Sequence, residues 1–357
     1  MSEGWRQRPL ADLLSTFGLD LMPEHELPTD GWSGATFTTI TDVDGRRFVL
    51  KRTSLAVDWI ARATRDHGLR EAWVAAEAPR LTGTVAPYLG AAADGDGAVI
   101  LMPDLSNELI AWERPGHDPA IDDEVLMRVL NGVAALHAWP ARPPTVGGGS
   151  RRGPDEDAPW CPLPERLTLL SPGAAGRYVA EANPVGARFE AGWDVFRGRA
   201  AVPARALVAD LDADVTPLVA ALGSLPAVGL HGDLKLANVA LVGDDVRFID
   251  WQMTLRAPIA VEMAWFLVSN SSSLPADPER VLERYRSALA LQGDRYPDVV
   301  GDWEAQLDLT WIIGLLLRGW RKGLDAAAGI VLPSGVTAAG DLAWWSDRAV
   351  EAAGRRL

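Results

Sequence analysis

The chain has 357 residues, 48% of them apolar and 23% charged, with a formal net charge of -14. That length exceeds one small core and predicts two domains or lobes. The acidic balance argues against a surface built to neutralise nucleic-acid phosphates or anionic lipid; it tilts slightly toward an amine-bearing ligand, with an acidic surface that merely keeps the protein soluble as the competing explanation. No uncharged apolar run reaches the roughly 18 residues of a membrane span. The start, Met1-Ser2-Glu3-Gly4-Trp5-Arg6, does not read as a signal peptide. The single cysteine, Cys161, excludes an intramolecular disulfide and a cysteine-built zinc site. A cytoplasmic location is the expectation.

Residues 5 to 28 predict a short helix leading into a first strand. Thr36 to Thr41 is β-rich, Asp44-Gly45 signals a hairpin turn, and Arg47 to Lys51 resumes as a strand. A helical region follows over 55 to 80, broken near His67-Gly68. Ala98 to Met102 is a short apolar strand that Pro103 ends. Beyond it the chain turns helical: Glu124 to Trp139 carries Leu126, Val129, Leu130, Val133 and Leu136 at helical spacing. Residues 140 to 163 are rich in Pro, Gly and charge, including Asp155-Glu156-Asp157, and predict a loop or insertion near a substrate entrance. Helical patterns return over 205–223, 257–270, 277–291, 301–322 and 340–354. The expected class is α+β, with a small β-rich lobe over 1–103 and a larger, mainly helical lobe over 104–357.

Chemistry concentrates in His231-Gly232-Asp233-Leu234-Lys235-Leu236-Ala237-Asn238, followed by Phe248-Ile249-Asp250-Trp251. The spacing is that of a kinase catalytic loop, H-R-D-x-x-x-x-N, with a second acidic residue one short hairpin later. Moving a γ-phosphoryl group needs positioning, a group to take the acceptor proton, and positive charge against the phosphate oxygens. Asp233 is the candidate for the proton, and Lys235 for a γ-phosphate contact. Asn238 and Asp250 offer hard oxygen ligands for Mg²⁺. His231 is assigned to loop shape rather than chemistry. Taken singly, a turn with a capping Asp and the end of a buried strand explain these residues as well; their order and separation argue against that pair of coincidences.

Lys51 ends a strand after Val49-Leu50 and precedes a helix, the placing of the lysine that holds nucleotide α- and β-phosphates and pairs with a helix carboxylate. Glu71 is the carboxylate chosen; Glu77 is more than a turn away. A phosphate-covering loop is expected one hairpin before Lys51, at Gly31, Ser33 and Gly34, although an ordinary hairpin turn accounts for these residues equally well. At Met102-Pro103-Asp104-Leu105 a nucleotide base would meet the Pro103 carbonyl and the Leu105 N–H; a plain strand-to-helix connection is the alternative.

Together, Lys51, Glu71, Met102-Pro103-Asp104-Leu105, Leu136-His137, His231-Gly232-Asp233 with Asn238, and Ile249-Asp250-Trp251-Gln252 resemble the aminoglycoside phosphotransferase and choline kinase-like superfamily. The resemblance runs from about residue 27 to beyond 322. It implies a bilobal protein-kinase-like fold, ATP or GTP with Mg²⁺, and phosphorylation of a hydroxyl on a small molecule. By that match Asp233 is the catalytic Asp, Asn238 and Asp250 are the metal ligands, and Lys51 is the phosphate lysine. The chain departs from the pattern at Pro103, where an acidic residue is frequent, and at Glu262-Met263, which replaces Asp-Leu.

Superfamily membership leaves the acceptor open among aminoglycosides, macrolides, choline, homoserine, fructosamine-type sugars and other metabolites. Glu262, Trp265, Trp311, Trp320 and the Asp155-Glu156-Asp157 run are candidates to receive a cationic acceptor, with helix packing by the Trp residues and water-facing acids as the competing explanation. A protein kinase is disfavoured by Gly232 and by the lack of an A-P-E segment, and a hydrolase by the lack of a placed nucleophile. A catalytically silent nucleotide-binding scaffold is the competing class, which Asp233, Asp250 and Lys51 argue against.

Overall fold

The computed structural model describes residues 4–19, 22–28, 33–82, 85–110, 121–139 and 159–357. The chain divides into two compact units. Met1–Ile110, Trp139–Cys161 and Asn238–Thr254 form the first; Ala111–Ala138, Pro162–Ala237 and Leu255–Leu357 form the second.

The first unit is built on β1 (His25–Glu26), β2 (Thr36–Thr41), β3 (Arg47–Thr53), β4 (Gly90–Asp94) and β5 (Gly97–Pro103), a five-stranded antiparallel sheet in the order β1-β2-β3-β5-β4. β-Branched and aromatic residues supply β2, and its register places Phe37 opposite Lys51. Leu13, Leu19, Ile40, Leu50, Val99 and Leu101 form an apolar core against the sheet. Among the described residues the α-helices of this unit are α1 (Leu10–Ser15), α2 (Trp59–Ala63) and α3 (Arg70–Thr82). The helical region expected over 55–80 is thus two helices. Arg65 and Leu69, both at positive φ, turn the chain between them. Asp58 caps α2 through the Ala61 N–H, and Asp66 accepts the Arg70 N–H at the start of α3. β4 escapes sequence reasoning, because Gly-Ala-Ala-Ala-Asp lacks strand chemistry and is a strand only through its pairing with β5. A hairpin, Val239–Val242 with Asp245–Phe248, completes the unit and is tied to it by the Phe248 N–H on the Val85 carbonyl at 2.7 Å. Cys161 is buried here, its N–H on the Thr254 carbonyl at 2.9 Å.

The second unit is mainly helical. Its helices are α4 (Asp123–Ala138), α5 (Leu163–Thr168), α6 (Pro172–Ala180), α7 (Gly186–Arg199), α8 (Val202–Ala213), α9 (Thr216–Leu222), α10 (Ile259–Ser269), α11 (Pro278–Ala290), α12 (Tyr296–Val300), α13 (Trp303–Ala327) and α14 (Ala338–Arg356). A two-stranded ladder pairs Val228–Leu230 with Leu255–Ala257. The helical pattern expected over 205–223 is carried by α8 and α9, where Pro217 sits in a first turn, the one place in a helix that tolerates it. Helices α10 and α13 carry the core, every residue of α10 being buried. Trp311, Trp344 and Trp345 meet edge to face at 5.1 to 5.6 Å between ring centroids. The α+β class expected is the one observed, with a small antiparallel sheet in one unit and mainly helices in the other. Among the described residues no helix is long and apolar enough to cross a membrane.

Candidate active site

In the first unit the site begins with Lys51. Strand β3 carries it into the interior, leaving the residue 3% exposed, and such a charge persists only if paired. Its Nζ lies 2.6 Å from Glu71 Oε2 and 2.6 Å from Asp250 Oδ1. Burial alone would pull the lysine pKa down, but the charges of Asp250 and Glu71 outweigh it and raise it. The Glu71 carboxyl is pushed up, by burial first and then by the nearby Asp250 charge, against the pull of Lys51.

Asp250 reaches this pair through the hairpin. Val239 pairs with Phe248, and the Ile249 N–H donates to the Asn238 carbonyl at 3.0 Å, so Asn238 lies opposite Ile249 at the open end of the hairpin and Asp250 follows one residue beyond. Asp250 has φ +68, in the left-handed region that an Asp adopts more readily than most residues. Tyr88, which sequence reasoning missed, donates from its hydroxyl to Glu71 Oε1 at 2.5 Å and accepts the Asp250 N–H at 3.0 Å. No spacing rule points to a tyrosine there. Arg70 adds a second tie, from Nη1 to the Gln252 carbonyl at 2.9 Å.

The structure places the remaining sequence-derived candidates of this unit as follows. Gly31 lies outside the described residues. Ser33 accepts the Trp59 N–H through its carbonyl at 3.3 Å. Gly34 has φ +93, and a Cβ there would stand 2.4 Å from the Val57 carbonyl oxygen, so the close approach requires glycine. Pro103 ends β5 opposite Phe48. The Leu105 carbonyl accepts the Glu108 and Leu109 N–H groups in the turn that follows. The insertion lies outside the described residues over 140–158, including Asp155-Glu156-Asp157; its last residue, Leu163, opens α5.

In the second unit, Asp233 and Lys235 lie on the loop after the Val228–Leu230 strand. Lys235 Nζ is 3.0 Å from Asp233 Oδ2, and the two side chains are partly exposed. Gly232 takes φ +84, which a β-carbon would strain. The loop is held from behind by Glu262 of α10, fully buried, whose carboxylate accepts the His231 N–H at 2.6 Å and the Gly232 N–H at 3.1 Å. Burial would raise the Glu262 pKa, but the His137 ring, its Nε2 3.8 Å away, and the neighbouring His231 hold it below the ordinary value. His137 in turn bonds Tyr285 through Nδ1 at 2.5 Å. His231 Nδ1 accepts the Asp233 N–H at 3.2 Å, a loop-shaping contact. Asn270 and Arg166 close the arrangement: Asn270 Oδ1 accepts the Leu236 N–H at 2.8 Å, and Arg166 Nε donates to the Gly232 carbonyl at 2.8 Å.

Two of the residues offered for a cationic acceptor are occupied otherwise. Glu262 is spent on the loop, and Trp311 packs against Trp344 and Trp345. Trp265 faces arginines: the Arg166 and Arg318 guanidinium carbons lie 4.8 and 5.6 Å from its ring centroid, and Arg318 also lies 5.1 Å from that of Trp320.

No curated protein is similar enough to match this chain. Among solved structures it is similar to a macrolide 2'-phosphotransferase from Brachybacterium faecium, with 21% identity over 89% of this chain and 92% of that one and a TM-score of 0.41. It is similar to a choline kinase from Cryptosporidium parvum, with 12% identity, 94% and 88% coverage and a TM-score of 0.44. It is also similar to an amicoumacin kinase, with 12% identity, 92% and 88% coverage and a TM-score of 0.48. The family assignment rests instead on the sequence: the model of the phosphotransferase enzyme family matches residues 24–300, more than three quarters of the chain. The chain belongs to that phosphotransferase family.

Proposed function

We propose that this protein moves the γ-phosphoryl group of ATP, or GTP, to a hydroxyl of a small molecule. The observation that carries this is Lys51, buried between Glu71 and Asp250 in a chain of the phosphotransferase family. A lysine so held has one orientation and a fixed positive charge, the condition for seating nucleotide phosphates without loss at the moment of transfer.

In this reading Asp233 accepts the proton of the acceptor hydroxyl. The hydroxyl oxygen forms the new bond to the γ-phosphorus, and the bond to the β–γ bridging oxygen breaks, releasing ADP. Lys235, which pairs with Asp233, orients that carboxylate and offsets charge on the transferred group. Ser33 and Gly34 bring backbone close to the phosphates, and Pro103 and Leu105 meet the base. Asn238 and Asp250 fit a Mg²⁺ ion, since both offer hard oxygen donors and both lie at the open end of the same hairpin, where Asn238 faces the residue before Asp250. Among the described residues no group of three or more His, Cys, Asp and Glu is gathered as a metal cage, so phosphate and water would complete the ion's shell. Bound there, the ion would neutralise phosphate charge.

The test is magnesium-dependent ADP release across pooled aminoglycosides, macrolides, amino alcohols, hydroxy acids and sugars, with Asp233→Asn as control. One pool is expected to stimulate release, and the variant to lower kcat by about 10²- to 10⁴-fold with nucleotide affinity kept. Tight ATP binding with silence in every pool would instead indicate a nucleotide-binding protein without transfer. No ATP binding would sink the reading.

A further inference from the structure

Arg318 is the exception in an otherwise apolar stretch of α13. Around it the chain reads Leu315-Leu316-Leu317-Arg318-Gly319-Trp320, and its neighbours from Trp311 to Trp320 are buried. Its guanidinium lies against Trp265 and Trp320, its Nε is buried with no hydrogen-bond partner, and no ion pair is made to it among the described residues. A cation placed there merely to fill space would be poor economy, because leucine or methionine packs as well without the desolvation penalty. The charges that act on Arg318 add to the imbalance: Arg321 and Arg188 oppose it, while Asp325 and Asp233 favour it. Asp325 is already engaged by Arg321 at 2.8 Å, and Asp233 by Lys235 at 3.0 Å. Arg166 brings a further guanidinium to the same indole of Trp265, and its Nε is taken by the Gly232 carbonyl of the Asp233 loop. A planar guanidinium stacked on aromatic rings and lacking a carboxylate is the arrangement proteins use for carboxylate and phosphate ligands.

We propose that Arg318 is the recognition residue for an anionic group, carboxylate or phosphate, on the hydroxylated acceptor, so that the substrate class is acidic rather than cationic. This rests on the phosphotransfer reading above. The overall charge of -14 belongs to the whole surface. It does not describe the arginine cluster whose charges, with that of Asp233, act on Arg318. Asp233 then works beside an acceptor held by its own acidic group. Desolvation, with Arg321 and Arg188, pulls the Arg318 pKa down to about 10, so the guanidinium still carries its charge at neutral pH.

The experiment compares acceptors matched in size and different in charge: sugar phosphates and hydroxy acids, neutral sugars, and amino sugars. Magnesium-dependent ADP release is expected with anionic members, the carboxylate and phosphate arms deciding between the two groups. R318M is expected to raise the KM of that acceptor about 10- to 100-fold, the loss of one charge-assisted contact, with the KM of ATP unchanged. Because the variant removes a half-buried cation that has no ion-pair partner among the described residues, its melting temperature should equal or exceed that of the wild type, which a purely structural arginine would not allow. Fastest turnover on an amino or neutral sugar, or an effect of R318M on ATP instead, overturns the proposal. Calorimetric titration of inorganic phosphate and of citrate, with AMP-PNP present, gives a readout without turnover. Binding lost in R318M supports the anion site even if no acceptor releases ADP, an outcome that would remove the phosphotransfer reading alone. Equal binding in both proteins overturns it.

Discussion

Tyr88 holds Glu71 from behind. The phenol donates to Glu71 Oε1 at 2.5 Å while its oxygen accepts the Asp250 N–H, so one buried side chain fixes both partners of Lys51. Tyr88→Phe removes the donor and leaves a buried carboxylate oxygen short of it. We expect a stability loss of about 1 to 3 kcal/mol and a raised KM for ATP, read by calorimetry and initial rates. Unchanged melting would show that Lys51 alone suffices to hold Glu71.

Lys51→Met brings the converse problem, two carboxylates facing each other without the cation between them. Asp250 retains some solvent, its side chain being 23% exposed, which softens the penalty. Urea unfolding should still show a loss of about 3 kcal/mol, and nucleotide titration a loss of measurable ATP affinity. A variant that unfolds like the wild type would mean the pair contributes nothing net to stability.

Much of this geometry was legible in the chain because hairpins and strand ends convert sequence spacing into fixed distance. The short hairpin between Asn238 and Asp250 works that way, as does the Val49-Leu50-Lys51 strand end. Glu71 was chosen over Glu77 on helical phase alone, and Glu71 is the one that meets Lys51. What the sequence hid was contact across long separations. Tyr88 reaches Asp250 over 162 residues and Arg70 reaches Gln252 over 182, and neither has a local pattern. Glu262 shows a different failure: an acidic residue beside Trp265 suggested a cation site, whereas full burial assigns it to the backbone of residues 231 and 232. The small residues of β4 gave no strand signal because its pairing with β5 is decided by tertiary contact.

Glu262→Gln tests that assignment. The variant keeps an acceptor oxygen but loses the charge that strengthens the bonds to His231 N–H and Gly232 N–H. A stability loss of about 2 kcal/mol is expected, together with a lower kcat at unchanged ATP affinity. A change confined to acceptor KM would return Glu262 to the acceptor site.

Asp66 gives a pH signature. Burial drives its carboxyl up, the Arg70 charge and N–H pull it back, and the result is a pKa raised from 3.8 to about 6. A folded-state pKa above the unfolded one means the native protein holds the extra proton, so this group's contribution is full below 3.8 and is lost as pH rises through about 6. Asp66→Asn keeps a neutral acceptor for the start of α3. Its stability relative to the wild type should improve by about 3 kcal/mol between pH 4 and pH 7. Thermal melts of both proteins across that window measure it, and parallel curves would refute the shift.

The burial of Cys161 has a practical consequence. It is the chain's one thiol, 3% exposed and backbone-bonded to Thr254. Maleimide dyes and spin labels therefore have no ready native target in the folded state. A cysteine placed at an exposed position such as Leu291 or Val202 becomes the sole fast-reacting handle, and distance measurements by fluorescence or paramagnetic resonance can begin without first stripping the protein of its own sulfhydryl.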